Sequence, residues 1–306
     1  MLLPPCRLVV FDCTDSALLS IEGTSGCVLS RFSIPPVYRP LALFSTDTGI
    51  FFLANGKADC VVYTLKDGSW SRLLTTLPPM TAVCPCAIGN DLYLASTRHT
   101  LYHLTCDSGK LSSLGSAPHT CRALVKGTHL ASVWEITEGS ICALHNDDGT
   151  VIFEHRLDGT IPTATMAGDT LLLPFTGGKE HGEGLHLLPT DTPSSSITTV
   201  SLKTPSMRGL SADPYSVLPI GDTLCLISES SGTITKIDHR TGEIIDSYSL
   251  GRSISNLYLL PDERFAIATS NMFADLSLVD LVNEKLLSIS ICKHELFHQV
   301  VILPPT

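Results

Sequence analysis

YSVLPIGDTLCLISESSGTITKIDHRTGEIIDSYSL, residues 215–250, is the stretch from which the fold can be read. Four strand-length apolar runs follow one another in it, at 215–220, 223–228, 232–237 and 243–250. Gly221-Asp222 separates the first two, and Asp238-His239-Arg240-Thr241-Gly242 the last two. Gly and Asp supply turn conformations that β-branched residues resist, so the stretch predicts a four-stranded antiparallel meander.

The same unit repeats on either side. The turn before its fourth run recurs as Thr24-Ser25-Gly26, Lys66-Asp67-Gly68, Asp107-Ser108-Gly109, Asp147-Asp148-Gly149 and, weakened, Val282-Asn283-Glu284. The turn that opens its second run recurs as Asp47-Thr48-Gly49, Gly89-Asn90-Asp91, Gly127-Thr128, Gly168-Asp169 and Asp262-Glu263. From Gly49 through Asn90, Thr128, Asp169, Asp222 and Glu263 the steps are 41, 38, 41, 53 and 41 residues, and the long step marks an insertion. A period near 40 with four strands per unit predicts a β-propeller.

Six complete units fall at 40–77, 81–114, 120–157, 161–202, 215–250 and 254–291. Residues 7–35 lack a first strand, while FHQVVIL at 297–303 is a strand without a unit. Joining the two ends in one blade leaves no open seam. The expectation is therefore all-β: one seven-bladed β-propeller domain over 1–306, four antiparallel strands per blade, its ring closed by the C-terminal strand joining the N-terminal blade. The alternative, a pair of β-sandwiches, sits poorly with the steady four-strand count and the complementary ends.

Composition narrows the function classes. Hydrophobic residues make up 43% and charged residues 16%, which suits a packed core and not a disordered chain. The net charge of −10, with no run of Lys and Arg, argues against nucleic acid and against an anionic membrane surface as partner. No apolar stretch approaches the roughly 18–20 residues of a membrane span. MLLPPCRLVVFDC at the N-terminus lacks a charged region followed by a sustained apolar run, so no signal peptide is expected. The 11 Cys are odd in number, and Cys60, Cys84, Cys86, Cys142 and Cys225 sit inside apolar runs. They read as reduced core thiols of a cytoplasmic, monomeric protein. Cys84-Pro85-Cys86 lacks the further ligands that a metal site needs.

The run Ile237-Asp238-His239-Arg240-Thr241-Gly242-Glu243-Ile244, with a weaker echo in Cys106-Asp107-Ser108-Gly109-Lys110-Leu111, resembles the YVTN-repeat and quinoprotein-like group of seven-bladed propellers. The chain departs from the WD40 pattern in having no Trp-Asp dipeptide, and Trp70 and Trp134 are its only tryptophans. The Trp-rich docking motif of quinone-dependent enzymes is thus missing, and no cofactor is expected. The resemblance implies a fold and not a function.

In such propellers, loops joining fourth to first strands and second to third strands share one face around a central channel, where ligands and partners commonly bind. On that face the expected binding residues are Arg39, His119, Lys179, His181, Met207, Arg208, Met272 and His294, with Tyr38, Arg122 and Asn256 on the same rim. Lys179 and His181 belong to a Gly-rich loop, TGGKEHGEG at 176–184, that reads as mobile and polar. His181, Glu183 and His186 are metal-ligand types, but His186 falls in the next strand and the pattern is not a helical H-E-x-x-H, so no metal is expected. Met207 and Arg208 lie in the insertion, where an Arg suits an anionic ligand. Asp147-Asp148 reads as turn chemistry, not a catalytic pair. No nucleophile-elbow motif is present.

The resulting expectation is a non-enzymatic binding scaffold that presents loops to a protein partner or small ligand. The alternative is a propeller-type hydrolase such as a lactonase, with Arg208, His119 and His294 converging at the channel mouth. A periplasmic or surface-attached sensor is disfavoured by the N-terminal sequence.

Overall fold

The computed structural model of the chain describes residues 5–12, 15–35, 38–46, 48–66, 68–73, 77–84, 90–192, 196–202, 214–270, 276–288 and 300–303. The first sheet contains β1 (Arg7–Asp12), β2 (Ala17–Glu22) and β3 (Val28–Ser33). The second contains β4 (Arg39–Thr46), β5 (Gly49–Asn55), β6 (Cys60–Lys66) and β7 (Ser69–Arg72). In the third are β8 (Met80–Cys84), β9 (Asp91–Ser96), β10 (Thr100–Thr105) and β11 (Lys110–Ser116). The fourth is β12 (Cys121–Lys126), β13 (Leu130–Ile136), β14 (Gly139–His145) and β15 (Val151–Leu157). The fifth is β16 (Thr165–Ala167), β17 (Thr170–Gly178), β18 (Gly182–Pro189) and β19 (Thr198–Ser201). The sixth, β20 (Pro214–Ile220), β21 (Leu224–Glu229), β22 (Thr233–Asp238) and β23 (Glu243–Ser249), is the meander expected at 215–250. The seventh is β24 (Asn256–Leu259), β25 (Phe265–Thr269), β26 (Ser277–Asp280) and β27 (Lys285–Ser288).

The last strand, β28 (Val300–Leu303), has no sheet of its own. It pairs antiparallel with β1, Arg7 opposite Leu303 and Val10 opposite Val300, and completes the order β28-β1-β2-β3. The seven four-stranded antiparallel sheets are the blades of a β-propeller, and the described residues include no helix. Among the described residues no helix is therefore long and apolar enough to cross a membrane.

Burial follows strand position within the blade. Second strands such as β5, β13 and β21 are buried along nearly their whole length, because both faces meet apolar neighbours. Fourth strands such as β15 and β23 are mostly exposed. This explains why second strands read as continuous apolar runs and fourth strands do not. The turns carry equally clear signatures. Gly26, Gly68, Gly109, Gly149 and Gly242 all have φ between 65 and 86°. Glu284, in the weakened copy, takes φ 56° as well. Backbone geometry is thus kept there even where glycine is not, at a cost of roughly 1–2 kcal/mol.

The chain groups into two compact units. The first, Met1–Pro36 with Thr204–Asp238 and Glu243–Thr306, holds the first, sixth and seventh sheets. Its core has Leu8, Leu19 and Ile21 against Ile267 and Leu278, and Leu226 and Ile234 against Leu257 and Val279. The second, Val37–Lys203 with His239–Gly242, holds the second to fifth sheets. There Leu53 and Val62 pack with Leu92 and Leu104, and Val133, Trp134 and Leu144 with Leu101, Leu171 and Phe175. The candidate site lies within this second unit.

Candidate functional site

An open depression of about 740 Å³ lies at one end of the fourth sheet. The connection from β11 to β12 brings His119 and Thr120 to it. The tight hairpin between β13 and β14, in which Ile136 faces Gly139, brings Thr137 and Glu138. Glu135, Ile141 and Arg156 complete the lining from β13, β14 and β15. These are fourth-to-first and second-to-third connections, the end on which binding residues were expected.

Its two carboxylates are both engaged. Arg122 Nε donates to Glu135 Oε2 at 2.6 Å. Lys179 Nζ donates to Glu138 Oε1 at 2.7 Å, reaching across from the next sheet. Lys179 holds the exposed Glu138 carboxyl below its ordinary range, first by this hydrogen bond and then by its charge, and Arg156 adds to the effect through space. Such exposed pairs contribute little stability. Arg156 and His119 are exposed, and the side chain of neither makes a hydrogen bond or close ion pair with another described residue. Ile136 and Ile141, both half-buried, supply the apolar part of the wall.

Behind the rim, Asp158 orders the Gly-rich segment. Its Oδ1 accepts from the Lys179 N–H at 2.8 Å, and its Oδ2 from the N–H groups of Glu180 and His181 at 2.9 and 3.0 Å. Burial alone would raise the carboxyl, but these three donors outweigh it and hold Asp158 low. Thr160 and Thr176 exchange backbone hydrogen bonds of 2.8 and 3.0 Å beneath. The Gly-rich composition predicts a mobile loop here. Instead the glycines extend β17 and open β18, and one carboxylate collects the turn's donors.

His186 answers the metal reading of this segment. It is buried, stacked on Phe175 at 4.1 Å. Its Nε2–H donates to the Asp158 carbonyl at 2.9 Å, which leaves Nδ1 to accept from the Thr199 hydroxyl at 2.9 Å. Both ring nitrogens are engaged, so it cannot join His181 and Glu183 around an ion. Burial pushes its pKa down. Among the described residues no three His, Cys, Asp or Glu side chains are grouped to hold a metal.

A serine–histidine pair exists, but in the core. The Gly149 carbonyl can only accept, so His145 Nδ1–H donates to it at 3.0 Å. His145 Nε2 then accepts from Ser132 Oγ at 2.6 Å. Ser132 is fully buried and His145 nearly so, and burial keeps the imidazole neutral. The pair ties β13 to the β14–β15 turn and presents no nucleophile to a substrate.

Of the expected binding residues, His119 lines the depression and Lys179 borders it through Glu138. His181 follows Lys179 in the turn held by Asp158. Arg39 starts β4 opposite Asn55 in the second sheet and is not part of the lining. Met207, Arg208, Met272 and His294 lie outside the described residues. Sequence reading missed Arg156, Glu135, Glu138 and Asp158. Arg156 had one visible signal: alternation along VIFEHRL sets Glu154 and Arg156 on the polar face.

No family model matches the chain, and no curated protein matches it. Solved structures do. A functionally unknown protein from Desulfotomaculum acetoxidans has a TM-score of 0.75 at 12% identity, covering 98% of this chain and 99% of that one. Apo AztD from Citrobacter koseri has a TM-score of 0.59 at 13% identity, covering 98% of each chain. The Neurospora crassa Pan2 WD40 domain has a TM-score of 0.61 at 12% identity, covering 88% of this chain and 86% of that one. These likenesses show the fold alone.

Proposed function

We propose that the chain is a non-enzymatic binding scaffold, holding a partner at the blade ends around Glu138. The observation that carries this reading is the contrast inside the depression. Its carboxylates are paired, while the side chains of Arg156 and His119 stand exposed, with no hydrogen bond to a described residue, beside Ile136 and Ile141. A rim of unengaged polar groups around an apolar wall is what a recognition surface needs. The Ile237–Ile244 run supports reading the repeat as one of the YVTN type. Burial pushes the thiols of Cys60, Cys106, Cys121, Cys142 and Cys225 up to about 12, which suits inert core thiols in a reducing, cytoplasmic setting.

Site-specific photo-crosslinking in cells that express the protein tests the proposal. A photoreactive side chain at Thr137, on the depression's rim, is expected to give a discrete adduct. The same group at Asp148, at the other end of the sheet, is expected to give none. No adduct from Thr137, or equal labelling from both positions, overturns the reading.

A further inference from the structure

The depression sets one guanidinium, Arg156, beside two carboxylates, Glu135 and Glu138. Glu135 is hydrogen-bonded by Arg122 and Glu138 by Lys179, which leaves the Arg156 guanidinium without a hydrogen-bonded acceptor. A guanidinium carries five N–H donors in a planar fork matched to a carboxylate, and here no described residue offers it an acceptor within bonding distance. His119 lines the same space and adds a ring N–H. Ile136 and Ile141 line the same space.

Resting on the scaffold reading, we propose that the depression takes an acidic segment of a partner protein, an Asp or Glu side chain with an aliphatic or aromatic residue beside it. The carboxylate lies on the Arg156 fork with His119 donating to it, and the apolar neighbour covers Ile136 and Ile141. The flanking Glu135 and Glu138 favour a singly charged carboxylate over a phosphate, whose second charge they would repel. Shape favours a protein segment over a small acid. Small-molecule sites bury most of their ligand, whereas this depression is open and its rim residues Thr137, Glu138 and Arg156 are exposed.

The test is a selection from a random peptide library displayed on phage, with the full chain as bait. Affinities of the selected peptides are then measured by fluorescence anisotropy. Selected peptides are expected to share an acidic residue next to an apolar one. Arg156→Gln should weaken them about tenfold or more, and Lys57→Gln, an exposed cation outside the depression, should leave them within about twofold. Replacing the acidic residue with its amide should match the loss seen for Arg156→Gln. Peptides that bind without an acidic residue, that ignore Arg156→Gln, or that bind tighter with phosphoserine overturn this inference and leave the scaffold reading standing. A library that yields no binder, together with no adduct from Thr137, ends both.

Discussion

The fourth sheet has two ends built from similar residue types, and they are used differently. At the β14–β15 turn, Asp148 Oδ1 accepts the Thr150 N–H at 2.9 Å and Asp147 takes the Lys126 ammonium at 2.8 Å. Gly149, at φ 86°, lies against the Leu114 carbonyl, and His145 binds the Gly149 carbonyl from inside. Every polar group named there is tied to the chain itself. At the β13–β14 end the carboxylates are paired too, yet Arg156 and His119 are not. Acidic residues at a turn are therefore a poor sign of function. The informative sign is a polar group that the fold leaves unengaged beside apolar surface.

That contrast can be broken by substitutions at each end. The largest effect is expected from Gly149→Val. The added side chain meets the Leu114 carbonyl and must hold a left-handed backbone, so unfolding by urea should show a loss of about 3 kcal/mol or more. Next is Ser132→Ala, which leaves His145 Nε2 buried without its donor and should cost about 1–3 kcal/mol in the same assay.

Acid should act on the structural end and its neighbour sheet. Burial lowers the pKa values of His145 and His186 in the folded chain, so the unfolded chain binds those protons first, near pH 6.5. Stability is full above that pH, falls as pH drops through it, and levels off only below the folded values. Urea midpoints measured from pH 8 down to about 5 should show this fall, and His186→Asn should lessen it. A flat profile would mean that the two rings are not held neutral. The smallest effect on stability belongs to Arg156→Gln, within about 0.5 kcal/mol, because the side chain is exposed and makes no bond to lose. A larger loss would move Arg156 from the binding end to the structural one.

Much of the fold was legible because a blade has strong local chemistry. The Gly-ended turns recur, and the missing first strand at one terminus matches the spare strand at the other, β28 on β1. The weakened turn at Glu284 was still recognisable by position, since the flanking strands force the same backbone. The site was only half legible. His119 and Lys179 stood out because they occupy connections, where polar residues have no ladder to join. Arg156 and Glu135 sit within strands on either side of β14, and their shared place in the lining depends on the pairing register of three strands, which no local pattern encodes. The Gly-rich segment misled for the converse reason. Its composition suggests freedom, but the restraint comes from Asp158, some twenty residues earlier, through the turn's own N–H groups.

The central claim is that one end of this sheet binds and the other holds the chain together. Hydrogen–deuterium exchange over residues 117–150, with and without the selected acidic peptide, tests it most directly. The account predicts added protection at 117–120 and 136–141, with none at 146–150. Protection centred on 146–150, or none anywhere at saturating peptide, would contradict it.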